Sequence, residues 1–238
     1  MDRTHFATMT ASRTTTETIM SSKKAFIYQE ILGRLFDGRY RFGEPLPVKD
    51  ISEETGVSRQ PIMTALYRLQ DNGFVRITAQ VGCEVIRPTL NEVSDFYRMF
   101  AQIEGLIGEF AAERATPQDI DRLNIINSQI SLIEQEGSHS ADSYRRLNVE
   151  FHKQLHAMAR SPLVCSRQLA NFELSDFYLV QTGGFKAHLG FVFDEHQRII
   201  EAIANRDTKA AGLCAREHID SVAKHLIEQL NAQAAFAN

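Results

Sequence analysis

The stretch Val48-Lys-Asp-Ile-Ser-Glu-Glu-Thr-Gly-Val-Ser-Arg-Gln-Pro-Ile-Met-Thr-Ala-Leu-Tyr-Arg-Leu-Gln-Asp-Asn72 decides how the N-terminal part of this 238-residue chain folds. Two short helical patterns flank a Thr-Gly-Val-Ser turn. Val48, Ile51 and Val57 supply the apolar side of the first. Ile62, Ala65, Leu66 and Leu69 recur at helical spacing in the second. Gly56 suits the positive φ that ends a helix, and Ser58 is placed to accept from the first N–H groups of the next. Pro61 falls in a first turn, where it is tolerated. The pattern predicts a helix-turn-helix whose second helix enters a DNA major groove.

Working outward, residues 23–37 predict a preceding helix, with Gly38 as its stop. Residues 42–47 hold two prolines and a glycine and predict a loop. After Gly73 the period changes. Phe74, Val75 and Ile77 predict one strand, Cys83, Val85 and Ile86 another, and residues 78–82 the turn between them. Three helices followed by a hairpin make a winged helix-turn-helix. From Thr89 onward the apolar spacing is helical throughout. Thr89 and Glu92 form a capping-box pattern, and Thr116-Pro-Gln-Asp119 opens another helix. Helices are expected over about 89–115, 116–135, 141–160, 162–181, 187–205 and 207–231. The fold class is therefore mainly α: a winged domain over 22–88, then an all-α antiparallel bundle over 89–238.

Charge divides along the same line. Residues 22–88 carry ten Lys/Arg against eight Asp/Glu, whereas 89–238 carry fourteen against twenty. A basic first part suits a phosphate backbone. Cys83, Cys165 and Cys214 are odd in number and widely spaced, which argues for reduced thiols in a cytoplasm. No apolar run approaches membrane-spanning length. Residues 1–21, rich in Thr and Ser, read as a disordered tail or as sequence upstream of a start at Met20.

The first domain resembles the GntR family of bacterial transcription regulators. The matching stretches are Gly38-Arg-Tyr-Arg-Phe-Gly43-Glu44-Pro-Leu46, Gly56-Val-Ser-Arg59-Gln-Pro61-Ile-Met-Thr-Ala65-Leu66 and Gly73-Phe-Val75. The resemblance implies that Lys49, Ser58, Arg59, Gln60, Thr64 and Arg68 meet phosphates or base edges, with Gly82 at the wing tip. Met63 and Thr64 depart from the family, which usually has an Arg and then an acid there. Met63 cannot donate to guanine, so operator sequence should differ at that position.

The second half resembles the FCD effector domain of the FadR-like branch, through Ile103-Glu104-Gly, Asn148-x-x-Phe151-His152, Asp194-Glu-His196 and Glu217-His218-Ile219. That resemblance implies a divalent metal, zinc or nickel, held by His152, His196, His218 and the residue at the family's Asp position, here Asn148. Residues 148 and 152 share a helix face, and imidazole nitrogens suit such ions. Taken without the resemblance, the three His read as hydrogen-bonded core residues. His156 reads as a bystander.

Many acid-sensing relatives carry an Arg at the position of Phe100, so the effector is expected to be less acidic or held by the metal and polar groups. Phe100, Glu104, Arg145 and His225 are the effector-site candidates, with surface solvation the alternative for Arg145 and a structural role for Glu104. The function implied is a dimeric, ligand-responsive regulator, in the commonest mode a repressor, that binds a palindromic operator and senses a small metabolite, such as an organic acid. The rival reading is a metal-dependent enzyme built on the same His cluster. Against it, the sequence shows no nucleophile motif and no acid–base pair.

Overall fold

Ile27, Ile31 and Leu35 line one side of a helix over residues 23–36 (α1), and all three are fully buried. They meet Ile51 from α2 (Val48–Thr55) and Ile62, Leu66 and Leu69 from α3 (Arg59–Asp71). The three helices thus close one small apolar core, as the periodicity requires. The computed structural model describes residues 23–136, 141–183 and 189–236. The expected tail at 1–21 lies outside them. The chain divides into two compact units, one ending at Arg87 and the other beginning at Pro88.

Gly56 ends α2 in the left-handed region (φ 65, ψ 12), where a Cβ would be strained. Ser58 takes the extended N-cap backbone, but its side chain makes no capping bond, contrary to expectation. One of the two usual donors is missing: an N-cap oxygen accepts from the second or third helical N–H, and the third residue here is Pro61, which has none.

The hairpin pairs β1 (Val75–Thr78) with β2 (Gly82–Val85), antiparallel, with Val75 opposite Val85 and Thr78 opposite Gly82. The loop at 42–47 is more ordered than expected. Pro45 bridges Glu84, Leu46 N–H donates to Cys83 O at 2.8 Å and Val85 N–H donates to Glu44 O at 2.8 Å. The loop therefore covers the outer edge of the wing, an edge that would otherwise leave N–H and C=O groups unpaired.

The second unit contains α4 (Leu90–Arg114), α5 (Pro117–Glu136), α6 (Ala141–Ala159), α7 (Pro162–Gln181), α8 (Leu189–Ala204) and α9 (Thr208–Phe236). The capping box at Thr89 forms: Thr89 N–H donates to Glu92 Oε2 at 2.7 Å, and Glu92 N–H donates to Thr89 Oγ1 at 3.2 Å. Thr116 and Asp119 make the same reciprocal pair ahead of α5.

Helix α4 is the centre of the bundle, packed against α6, α7, α8 and α9. Its buried residues are therefore not the single stripe of Val93, Phe96, Phe100, Ile103, Ile107 and Phe110 that period alone suggests. Phe96, Ile103 and Phe110 are only half-buried, while Tyr97, Ala101, Gly105, Gly108, Ala111 and Ala112 are buried. The small residues let α9 approach very closely. A Cβ on Gly108 would lie 2.8 Å from Ala211 O, and one on Gly105 would lie 2.9 Å from Gly212 O. Glu104 sits in the middle of α4, fully buried. No helix among the described residues is long and apolar enough to cross a membrane.

Candidate functional site

Two sites emerge, one in each unit. In the first, α3 turns Ile62, Ala65, Leu66 and Leu69 inward, so its other face is solvent-exposed. Arg59, Gln60, Thr64 and Tyr67 lie on that face, with Met63 half-buried at its edge. Lys49 on α2 and Gly82 on the wing are exposed as well. Ser58 is exposed at the helix start. Arg68 is drawn away from this face. Its guanidinium lies 4.1 Å from the centroid of the Tyr28 ring, so it packs back on α1 in a cation–π contact. A cleft of about 320 Å³ separates α3 from the wing, with Val48, Arg59, Met63 and Tyr67 on one side and residues 77–83 on the other.

In the second unit, α6, α8 and α9 bring three imidazoles together. His152, His196 and His218 are all buried, and one ligand nitrogen from each lies within 4.8 Å of the other two. A tetrahedral ion with nitrogen ligands at about 2.0–2.1 Å places them roughly 3.4 Å apart. Closing on an ion therefore needs inward movement on the order of 1 Å.

The second nitrogens of two rings are pinned. His152 Nδ1 is 3.1 Å from Glu104 Oε1, and His218 Nδ1 is 2.8 Å from Glu195 Oε2. An ionised carboxylate only accepts, so each facing nitrogen carries the proton and each Nε2 keeps its lone pair for a metal. His152 Nε2 and Asn148 Oδ1 are enclosed and have no hydrogen-bond partner among the described residues. Such orphaned atoms are expensive in a folded core unless something occupies the space between them. The donor set, imidazole nitrogens with one amide oxygen, fits zinc or nickel. Asn148 contributes no charge, so the neighbouring carboxylates of Glu104 and Glu195 supply the negative field instead.

Glu104 is the buried hub of this network. It accepts from His152, from His156 Nε2 (3.1 and 3.3 Å) and from Gln168 Nε2 (2.9 Å). Burial alone would raise its pKa, but His156 and His152 outweigh burial and hold it well below the usual carboxylate range. His156 is thus no bystander, and Gln168 and Glu195 also went unseen. The i,i+4 pair His152/His156 on one buried face was the available signal. Burial pushes the His152 imidazole down to about 4, against the upward pull of Glu104, so it is neutral at pH 7, as a metal ligand must be.

One consequence concerns stability. The folded pKa of His152 lies below its unfolded value of about 6.5, so the unfolded chain binds the extra proton first as pH falls. Stability contributed by the neutral ring is full above pH 6.5 and is expected to decline as pH falls towards 4. Thermal unfolding of metal-free protein across that window checks this, and a flat midpoint would contradict it.

The remaining candidates are dispersed. Phe100 is buried and edge-on to Phe172 at 4.8 Å, while Phe172 lies 4.2 Å from the His152 ring. The position of the family's Arg is therefore part of an aromatic wall beside the cluster. Arg145, one and two turns before Asn148 and His152 on α6, donates from Nε to the buried Asp176 at 3.0 Å, so it is not simply a solvated surface cation. His225 lies two turns beyond His218 on α9 and is half-buried.

Comparison with known proteins identifies the domain that carries each candidate site. Residues 23–85 match the gntR family of bacterial regulatory proteins, and residues 95–221 match the FCD domain. YdhC, an uncharacterized HTH-type transcriptional regulator of Bacillus subtilis, is 25% identical over 84% of this chain and 88% of its own length. The HTH-type transcriptional repressor NanR of Cronobacter sakazakii is 26% identical over 76% of each. The Escherichia coli McbR/YncC structure shares the fold, with a TM-score of 0.71 at 18% identity, covering 87% of this chain and 98% of that one. The family and these relatives are transcription regulators, which sets aside the enzyme reading. With a winged helix-turn-helix ahead of an FCD domain, the chain belongs to the GntR family of bacterial transcription regulators, in its FadR-like branch.

Proposed function

We propose that this regulator binds a palindromic operator as a homodimer in the cytoplasm and releases or tightens its grip when a small metabolite enters the six-helix unit. α3 lies in the major groove of each half-site, with Arg59 and Gln60 at its N-terminal end and Lys49 and the wing at Gly82 against the flanking backbone. Asn148, His152, His196 and His218 hold one divalent ion, zinc or nickel. When bound, that ion supplies a positive centre for the oxygen atoms of an organic acid or related ligand. The carrying observation is the cluster of three inward imidazoles, two with their second nitrogens held by carboxylates. The aromatic wall of Phe100 and Phe172 borders the ligand on one side, and Arg145 and His225 are the further candidates for contact with it. The relative NanR, named a repressor, supports repression as the mode.

Ligand binding acts by favouring one arrangement of the paired DNA-binding units over another. The DNA end of this account is tested through Arg59. It is exposed at the start of α3, and no salt bridge is found for it among the described residues. Arg59→Ala is expected to weaken specific operator binding by about 1–3 kcal/mol, roughly 5- to 150-fold, with unrelated DNA much less affected. Fluorescence anisotropy with labelled upstream DNA measures both. Unchanged operator affinity would show that α3 is not the reading helix.

A further inference from the structure

In its second turn, at Met63 and Thr64, the exposed face of α3 has little hydrogen-bonding capacity to offer a base. Met63 has no donor. Thr64 Oγ1 donates to Gln60 O at 3.1 Å, so its single proton is committed to the helix backbone and its methyl remains for outside contact. Arg68 is held over Tyr28. Tyr67, one turn on and 54% exposed, adds a ring that ends in a hydroxyl. Towards the wing, Met63 and Tyr67 share a mixed cleft with Val48, Ile77 and Val81 on its apolar side and Arg59, Thr78 and Gln80 on its polar side.

A major groove presents one base group that such a surface recognises, the C5-methyl of thymine. Guanine and cytosine offer no methyl there, and their polar groups would be stripped of water without a partner. Gln60, one turn earlier, has the two-sided amide that suits adenine.

We propose that Met63 and Thr64 close around a thymine methyl in each operator half-site, so that the second turn of α3 selects A·T pairs by apolar contact. This rests on α3 being the DNA-reading helix. The thioether supplies a flexible, polarisable wall and the Thr64 methyl a fixed one.

Replacing thymine by deoxyuridine removes that methyl and leaves every hydrogen-bonding group in place. The test uses the full chain and its own upstream operator, with each half-site thymine replaced in turn. One position per half-site is expected to lose about fourfold in affinity when substituted, the equivalent of one buried methyl. The penalty at that position is expected to shrink towards unity in Thr64→Ser, which keeps the hydroxyl, and in Met63→Ala, and to persist in Thr64→Val. The inference is overturned if no single deoxyuridine costs more than about 1.5-fold, well below one methyl's worth. It is equally overturned if the penalty is undiminished in both Thr64→Ser and Met63→Ala. A chain that prefers no DNA sequence at all would instead sink the DNA-reading assignment, and this inference with it.

Discussion

Replacing His196 by alanine is expected to lower divalent-metal affinity by on the order of 100-fold or more. In the proposed centre no carboxylate is a ligand, so the three imidazoles would carry nearly all the binding, and Asn148 would add only a neutral oxygen. Metal centres of this kind need about three good protein ligands. Two imidazoles and an amide fall short. The His196 ring is also stacked flat on Phe151, with centroids 3.6 Å apart and planes within 3°, so its orientation is fixed before any ion arrives. Competition against a chromophoric chelator, on protein purified without a histidine tag, gives the affinity. Elemental analysis gives the stoichiometry, expected to be close to one ion per chain in the wild type. His156→Ala is the matched control. It removes a partner of Glu104 and leaves the cluster nitrogens in place, so its effect is expected to be about tenfold or less. Wild-type protein that stays metal-free after dialysis against zinc or nickel would rule out the centre, as would an unimpaired His196→Ala.

The second large effect is on stability. Gly108→Val is expected to cost about 1–3 kcal/mol, or roughly 3–10 °C in Tm. The added Cβ would sit 2.8 Å from Ala211 O and 3.1 Å from Ala215 Cβ. The nearer obstacle is backbone, which cannot swing aside as a flexible side chain would, so α9 must move. Helix propensity alone predicts a small gain for the same change, because glycine is the poorest helix former after proline. The contrast is Gly33→Ala on α1, where nothing lies within 4 Å of the added atom. There propensity acts unopposed, and a gain of about 0.5–1 kcal/mol is expected. Thermal and denaturant unfolding of both variants separates packing from propensity. A Gly108→Val protein as stable as wild type would show that the α4–α9 approach is looser than described.

How much of this was legible in the sequence follows from the range of each interaction. The segment from Gly56 to Leu69 announces itself because turn, cap position and helical period all lie within fourteen residues. The capping pairs at Thr89 and Thr116 are equally local. The loop before α2 is legible as a loop, but its pairing with β2 is not, since that joins residues about 40 positions apart and the prolines say only that the segment is irregular. Glu104 illustrates the limit more sharply. Nothing near residue 104 indicates that His152, His156 and Gln168 will surround it, so its neighbourhood is a product of helix packing. The same holds for α4 as a whole. A helix buried on several sides shows no single apolar stripe, and its closest contacts are made by glycine and alanine, which a hydrophobicity pattern barely registers. The packing of Arg68 on Tyr28 is equally hidden, since the ring lies forty residues earlier.

His152, His196 and His218 were brought to attention by family resemblance. The spacing of residues 148 and 152 gave the only local support. Convergence of the other two depended on how α8 and α9 pack, which the sequence does not encode in any short window.

The measurement that bears most directly on the account is a binding titration of the full chain against its own upstream DNA, in excess unrelated duplex and across a range of salt concentrations. A sequence-specific complex is expected to survive the competitor and to weaken linearly on a log–log plot against salt, as phosphate contacts release counterions. The contrary result is a chain with no preference for that DNA at any salt concentration, and with metal-dependent turnover of a metabolite in its place.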